Sequence, residues 1–303
     1  MINVETILVL GAGSSIPYGF PSGEQLVQEM LLKMSSDKYV KEKLKNISQP
    51  IIDDLRLTLE SPLNASIDIL IGRKKSLSEI TRTVLADIIH QKEVEHYNYS
   101  MLGRNQVDEY GQQHTNEDQW YLPFFDKVID TDITNLLNSK LTIFTLNYDR
   151  SLEYSLLKEI PIALGTETKP LVLDYINRNN IIHINGSLGK LKAIEDYKLE
   201  VQAGKIKTIY DEDKEFNDLY WQGYIKDKIV SAKNIIFMGT AYHDLVLTKI
   251  FGDPGKLSNK TILGSCFELS PNDRKRATQK WGIELIDSSY KNMSLIKHLD
   301  LFG

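Results

Sequence analysis

Short apolar runs rich in β-branched residues alternate along this chain with longer stretches in which apolar positions recur at helical spacing. Four runs stand out: 6–10 (TILVL), 141–146 (LTIFTL), 180–184 (NIIHI) and 234–238 (NIIFM). Each ends at small or polar residues, as parallel strands covered on both faces do. Weaker strand patterns occupy 262–269 and 283–286. Helical periodicity marks 22–34, 149–158, 218–232, 242–251, 271–281 and 292–302. Strand followed by helix, repeated, predicts an α/β fold built on a Rossmann-like doubly wound parallel sheet.

The alternation lapses between residues 30 and 138, where apolar spacing predicts helices over 51–59, 67–71, 80–90 and 124–137. This stretch reads as a helical insertion in a single domain, 1–303, whose Rossmann core comprises 1–29, 139–188 and 218–303. Within it, 91–119 is polar, with Tyr97, Tyr99 and Tyr110 among Asn and Gln, and reads as a loop or lid. A variable insertion at 189–217 carries mixed charge around Tyr197 and Tyr210. No internal repeat or low-complexity tract is found.

Composition narrows the function classes. Of 303 residues, 42% are hydrophobic and 25% charged, ordinary for a globular chain that buries a core unaided. Lys and Arg number 36 against 41 Asp and Glu, a net charge of −5 without a long basic run, so no direct nucleic-acid partner is expected. The single cysteine, Cys266, can form neither an internal disulfide nor a four-ligand zinc site, which fits a reducing cytoplasm and predicts no metal. The opening MINVETILVLGAGSS lacks a secretory n-region, and no stretch approaches the roughly 18 apolar residues of a membrane helix. The expectation is a soluble, cytoplasmic protein without membrane contact. His90, His96, His114 and His298 have no metal-like spacing, and His243 reads as a surface or capping residue.

Candidate chemistry begins at Gly11-Ala12-Gly13-Ser14-Ser15, after the first strand pattern and before the helix expected from Ser22. Glycines there allow a sharp turn and close approach to a pyrophosphate; the other reading is a turn that only packs strand on helix. The third glycine of the dehydrogenase fingerprint would fall at Ile16, and no strand with an acidic end follows about 20 residues on. The chain instead passes through Pro21 and Ser22 into helical patterns, so hydride transfer is disfavoured.

Four segments occur in order: GAGSSIPYGFPSG (11–23), TLNYD (145–149), HINGSLG (183–189) and, more loosely, GTAYHD (239–244). Together they resemble the sirtuins, and within them the sirtuin-like NAD-hydrolase domains of bacterial anti-phage defence proteins. The resemblance implies NAD bound as substrate along Gly11, Ala12, Gly13, Ser14, Ser15, Pro21, Ser22, Thr145, Asp149, Gly186, Ser187, Gly239 and Thr240. Glu268, ending the next strand pattern, is a candidate for ribose hydroxyls. The resemblance also implies that Asn147 contacts the nicotinamide ribose and positions the attacking water, a task for an amide that both donates and accepts. On the residues alone, Asn147 reads equally as a cap for the helix expected near Asp149, and Asp149 itself as an N-cap.

The third segment departs from the family, whose general base is the histidine immediately before Gly-Ser. Here that position is Asn185, and His183 stands two residues earlier, on the same strand face but about 6–7 Å back. Three readings stay open. A bulge or register change brings His183 to the ribose as base. Alternatively, Asn185 orients water without a base, because cationic nicotinamide is a good leaving group. In the third, the site binds NAD or ADP-ribose without cleaving it.

One cysteine cannot build the four-cysteine zinc module of sirtuin deacylases. The resemblance therefore implies an NAD+ glycohydrolase giving ADP-ribose and nicotinamide, an NAD-depleting effector in abortive infection. Such activity is restrained by assembly or by a partner, which implies a homo-oligomer, with or without a separate ATPase or sensor protein. The alternative is a catalytically degenerate NAD- or ADP-ribose-binding scaffold or sensor subunit of a defence complex.

Overall fold

The computed structural model describes residues 2–61, 67–99, 106–107, 113–114, 119–191, 197–208 and 219–286. The helix expected over 292–302, with Tyr110 and Tyr210, lies outside these residues. Strand β1 (Thr6–Leu10) leads through two 3-10 turns into helices α1 (Gly23–Ser35), α2 (Asp37–Lys43), α3 (Gln49–Leu59), α4 (Ile67–Arg73) and α5 (Ser78–Tyr99). A short antiparallel ribbon, β2 (Gln106–Val107) with β3 (Gln113–His114), precedes α6 (Tyr121–Ile129) and α7 (Thr134–Asn138). Then follow β4 (Leu141–Thr145), α8 (Ser151–Leu164), α9 (Lys169–Asn177), β5 (Ile181–His183) and α10 (Leu199–Ala203). The described chain ends with α11 (Leu219–Ser231), β6 (Asn234–Met238), α12 (Asp244–Phe251), β7 (Thr261–Ser265), α13 (Pro271–Lys275) and β8 (Glu284–Ile286).

Six strands form one parallel sheet in the order β5-β4-β1-β6-β7-β8. Numbered within the sheet alone this is 3-2-1-4-5-6, the doubly wound order expected from the strand and helix alternation. The direction of winding reverses between β1 and β6, where ligands of such sheets bind, beyond the carboxyl ends of the strands. Alternate residues of each strand serve opposite faces. Leu8, Leu10, Ile143, Ile236 and Met238 pack with α6, α8 and α9, whereas Ile7, Val9, Phe144, Ile235 and Phe237 pack with α11 and α12.

A third apolar cluster joins α1, α3, α4 and α5 through Met30, Leu55, Leu70 and Val84, and reaches Leu188, Ala203 and Ile206 of the 183–208 region. The helical insertion thus has a core of its own, and its return segment does not share it: Trp120, Phe124 and Phe125 join the sheet's core.

Several expectations need correction. Residues 91–99 continue α5 and are not a loop, because the polar side chains there meet buried partners: Glu93 pairs with Arg150, and His96 Nε2 lies 3.1 Å from Ser155 Oγ. The helix expected over 124–137 is two, broken where Asp130 takes φ 53°. The strand expected to reach residue 269 stops at Ser265. Helix α9 was not foreseen, since Gly165 and Pro170 mask its start.

Arg150 fastens insertion to core. Its Nε and Nη2 donate to the Glu93 carboxylate at 3.0 and 2.5 Å, and its Nη1 donates to the carbonyls of Gly189 and Lys190 at 3.1 and 3.0 Å.

Candidate functional site

The glycine loop leaves β1 at the reversal point. It folds as two 3-10 turns, Ala12–Ser14 and Ile16–Tyr18, and the second ends at Gly19 with φ 84°. Ser22 caps α1 in a reciprocal capping box with Gln25, so its hydroxyl holds the helix start. A Cβ on Gly11 would fall 2.5 Å from Gly239 O, and one on Gly239, at φ 64°, would fall 2.1 Å from Ser14 N. These two positions, on the loops after β1 and β6, therefore exclude side chains so that the loops interlock. That is the packing reading of the glycines.

The loop's own donors are largely engaged. The N–H groups of Gly11, Gly13, Ser14 and Ser15 go to Met238, Gly239, Gly11 and Ala12 carbonyls at 2.9 to 3.1 Å. The loop is therefore not the row of free donors that a phosphate cradle suggests. Thr240 is buried, with its α-carbon and methyl against Gly11 and its hydroxyl beside that of Tyr242.

Asn147 lies two residues past β4, at the same edge. Its Nδ2 donates to Gly11 O at 3.0 Å and to Ser14 and Ser15 Oγ at 3.2 Å each, tying the β4 end to the glycine loop. Its main-chain N–H donates to Thr145 Oγ1 at 3.1 Å. It does not cap α8. Nor is Asp149 the N-cap as expected: Arg150 holds that position without a side-chain cap bond, and Asp149, one residue earlier, accepts from Ser151 N at 3.1 Å and from Ser151 Oγ. Burial pushes the Asp149 carboxyl up, opposed by its bonds to Ser151 and Ser15 and by the charge of His183.

His183 ends β5, with Nδ1 3.0 Å from Asn147 O and Nε2 2.7 Å from Glu153 Oε1. Burial alone would lower its pKa, but the charge and hydrogen bond of Glu153, then the Asn147 carbonyl, bring the net shift upward. The Asn185 side chain donates to Leu146 O at 3.1 Å. Gly186 follows at φ 68°, its N–H on His183 O and its face closed by Lys205 O, 2.1 Å from a built Cβ. The Ser187 hydroxyl accepts from Gly189 N at 3.2 Å.

Hydrogen bonds thus bring Gly11, Ser14, Ser15, Thr145, Asn147 and His183 into one network, with Gly239 locked against it. Pro21, Ser22 and Glu268 make none of these bonds, and Glu268 stands exposed in left-handed backbone at φ 56°. Sequence reasoning missed Glu153, whose signal was an acid one helical turn after Asp149 amid apolar neighbours. It also missed the aromatic floor. Trp120 Nε1 donates to Ser14 O at 2.8 Å, Tyr18 OH accepts from Tyr121 N, and the Tyr18 and Tyr121 rings stack 3.8 Å apart.

Among the described residues no group of three or more His, Cys, Asp and Glu could hold a metal ion, and no helix is long and apolar enough to cross a membrane. No family model matches the chain, and no curated protein matches it. The sirtuin-like resemblance therefore stands on its four segments alone.

Proposed function

We propose that the chain binds NAD along the edge formed by the glycine loop, Asn147 and Gly239-Thr240, and hydrolyses its nicotinamide–ribose bond. The observation that carries this reading is the position of Asn147: its Nδ2 is spent on the glycine loop at the reversal point of the sheet, which leaves Oδ1 to accept from water or a ribose hydroxyl.

In the reaction the C1′–N1 bond breaks, its electron pair goes to the pyridine nitrogen, and neutral nicotinamide leaves. Water oxygen then adds to C1′, a proton passes to solvent, and ADP-ribose results. Stabilising the oxocarbenium-like centre matters more than activating the nucleophile. Both His183 ring nitrogens already have partners, which favours orientation of water by amide side chains.

With the resemblance, this activity fits an NAD-depleting effector of anti-phage defence in the cytoplasm, a homo-oligomer restrained by its assembly or by a separate ATPase or sensor protein. One observation favours the non-enzymatic reading: the internally satisfied glycine loop suits a scaffold that binds NAD or ADP-ribose without turnover. Incubating the purified full chain with NAD at several protein concentrations, and following nicotinamide and ADP-ribose by chromatography, tests both. Turnover lost in Asn147→Ala with an unchanged fold supports hydrolysis. Binding without turnover supports the scaffold, and no binding removes both.

A further inference from the structure

We propose that His183 is a positioning residue held as a cation by Glu153, and that its Nδ1–H fixes the main chain of Asn147 and thereby the amide that faces the substrate. This rests on the hydrolase reading above and assigns its water-handling to amides, with no histidine base.

The argument is one of donors and acceptors. A main-chain carbonyl can only accept, so the nitrogen 3.0 Å from Asn147 O must carry a proton. In the proposed cation the Glu153 carboxylate, 2.7 Å from Nε2, accepts the second ring proton. With both ring nitrogens protonated the ring has no lone pair for water, and a general base needs one.

The surroundings favour the charge. Glu153 reaches the ring from α8, and Asp149 from the loop before it; both are acidic and nearly buried. Around Glu153 stand Arg150, Tyr154 and Tyr121, of which Arg150 is committed to Glu93. On the far side, Lys205 and Lys207 meet the 183–189 turn through the Lys205 carbonyl and the Lys207 N–H, and with the stem of Lys207 near Gly186. The net shift of the imidazole is upward, as a pinned cation requires.

The two roles give opposite pH profiles. A base must be neutral, so kcat/KM would rise as pH passes through the histidine titration. A positioning cation must be protonated, so kcat/KM falls there. His183→Asn separates them further, because an Asn amide can donate to the Asn147 carbonyl but cannot take a proton. Turnover within about tenfold of wild type and loss of the basic limb are expected, against collapse to the level of Asn147→Ala for a base.

A ligand-free arm keeps the inference apart from the hydrolase reading. Nuclear magnetic resonance titration of the full chain should show His183 titrating above the ordinary value of about 6.5, with the Asn147 side-chain signals moving in the same step. Glu153→Gln should bring that titration down. Titration at or below the ordinary value in wild type, or Asn147 signals indifferent to it, overturns the inference whether or not NAD is cleaved. Absence of turnover together with the expected titration removes only the hydrolase reading.

Discussion

Replacing Arg150 with methionine tests how the helical insertion is fastened to the sheet. Glu93 is 1% exposed and is held by the Arg150 guanidinium and by the Arg150 main-chain N–H at 2.9 Å. Methionine keeps the stem and removes every side-chain donor, so an uncompensated carboxyl remains in the interior. Breaking a buried pair in this way costs about 3–5 kcal/mol. The carbonyls of Gly189 and Lys190 add little, because both residues retain access to water.

The loss should depend on pH. Burial already pushes the Glu93 carboxyl up against the pull of Arg150, and removal of Arg150 raises it further. A carboxyl raised on folding favours the native state below its unfolded pKa and opposes it as pH rises. The deficit of Arg150→Met should therefore be smaller at an acidic pH close to the unfolded carboxylate value than at a neutral pH. Urea unfolding followed by circular dichroism at both pH values measures it. A Glu93→Met, Arg150→Met double variant should recover most of the loss, since it removes both charges and retains volume. A single variant within about 1 kcal/mol of wild type at the higher pH, or a double variant no more stable than the single, would refute the reasoning.

Three other outcomes follow from the same structure. The Tyr175 hydroxyl is buried in the sheet's core with no hydrogen-bond partner among the described residues, so Tyr175→Phe should raise stability by about 1 kcal/mol in urea unfolding. Gly239→Ala should strain the loops at the reversal point, lowering the melting temperature and weakening NAD binding by calorimetry, because the new Cβ meets main-chain atoms at a φ of 64°. Burial lowers His96 to about 4, with Lys158 adding to it. Its contribution is complete above the unfolded value of about 6.5 and is lost as pH falls toward 4, up to about 3 kcal/mol; His96→Gln should flatten that acid limb of a denaturation series.

The sheet was legible because its strands are buried on both faces and so appear as continuous apolar runs. TILVL, LTIFT and NIIFM each fall on an observed strand, and the turn chemistry around Gly11 and Gly239 marked where they end. Helix α1 was equally plain, with Ser22 and Gln25 forming its cap. What could not be read was the destination of polar side chains. Glu93 and His96 fall in the polar stretch that reads as a loop or lid, yet their partners lie 57 and 59 residues away in sequence. Glu153 likewise looks like an acidic first-turn residue, and its pairing with His183 depends on β4 and β5 lying side by side. Asn147 was singled out correctly as a residue of the β4 edge, but its bonds to the Ser14 and Ser15 hydroxyls span more than 130 residues and leave no local trace.

The central place of β1 has a consequence for how the molecule comes into being. Its flanking neighbours are β4 and β6, and Thr6 meets Asn234 across 228 residues of chain. Until that later segment has been synthesised, one edge of an uncharged, β-branched ribbon has no native partner. The loop that follows it waits equally for Trp120 and Asn147. Such long-range closure predicts slow folding and an early intermediate exposed to self-association, so the yield of soluble protein should depend on chaperone supply and on synthesis rate.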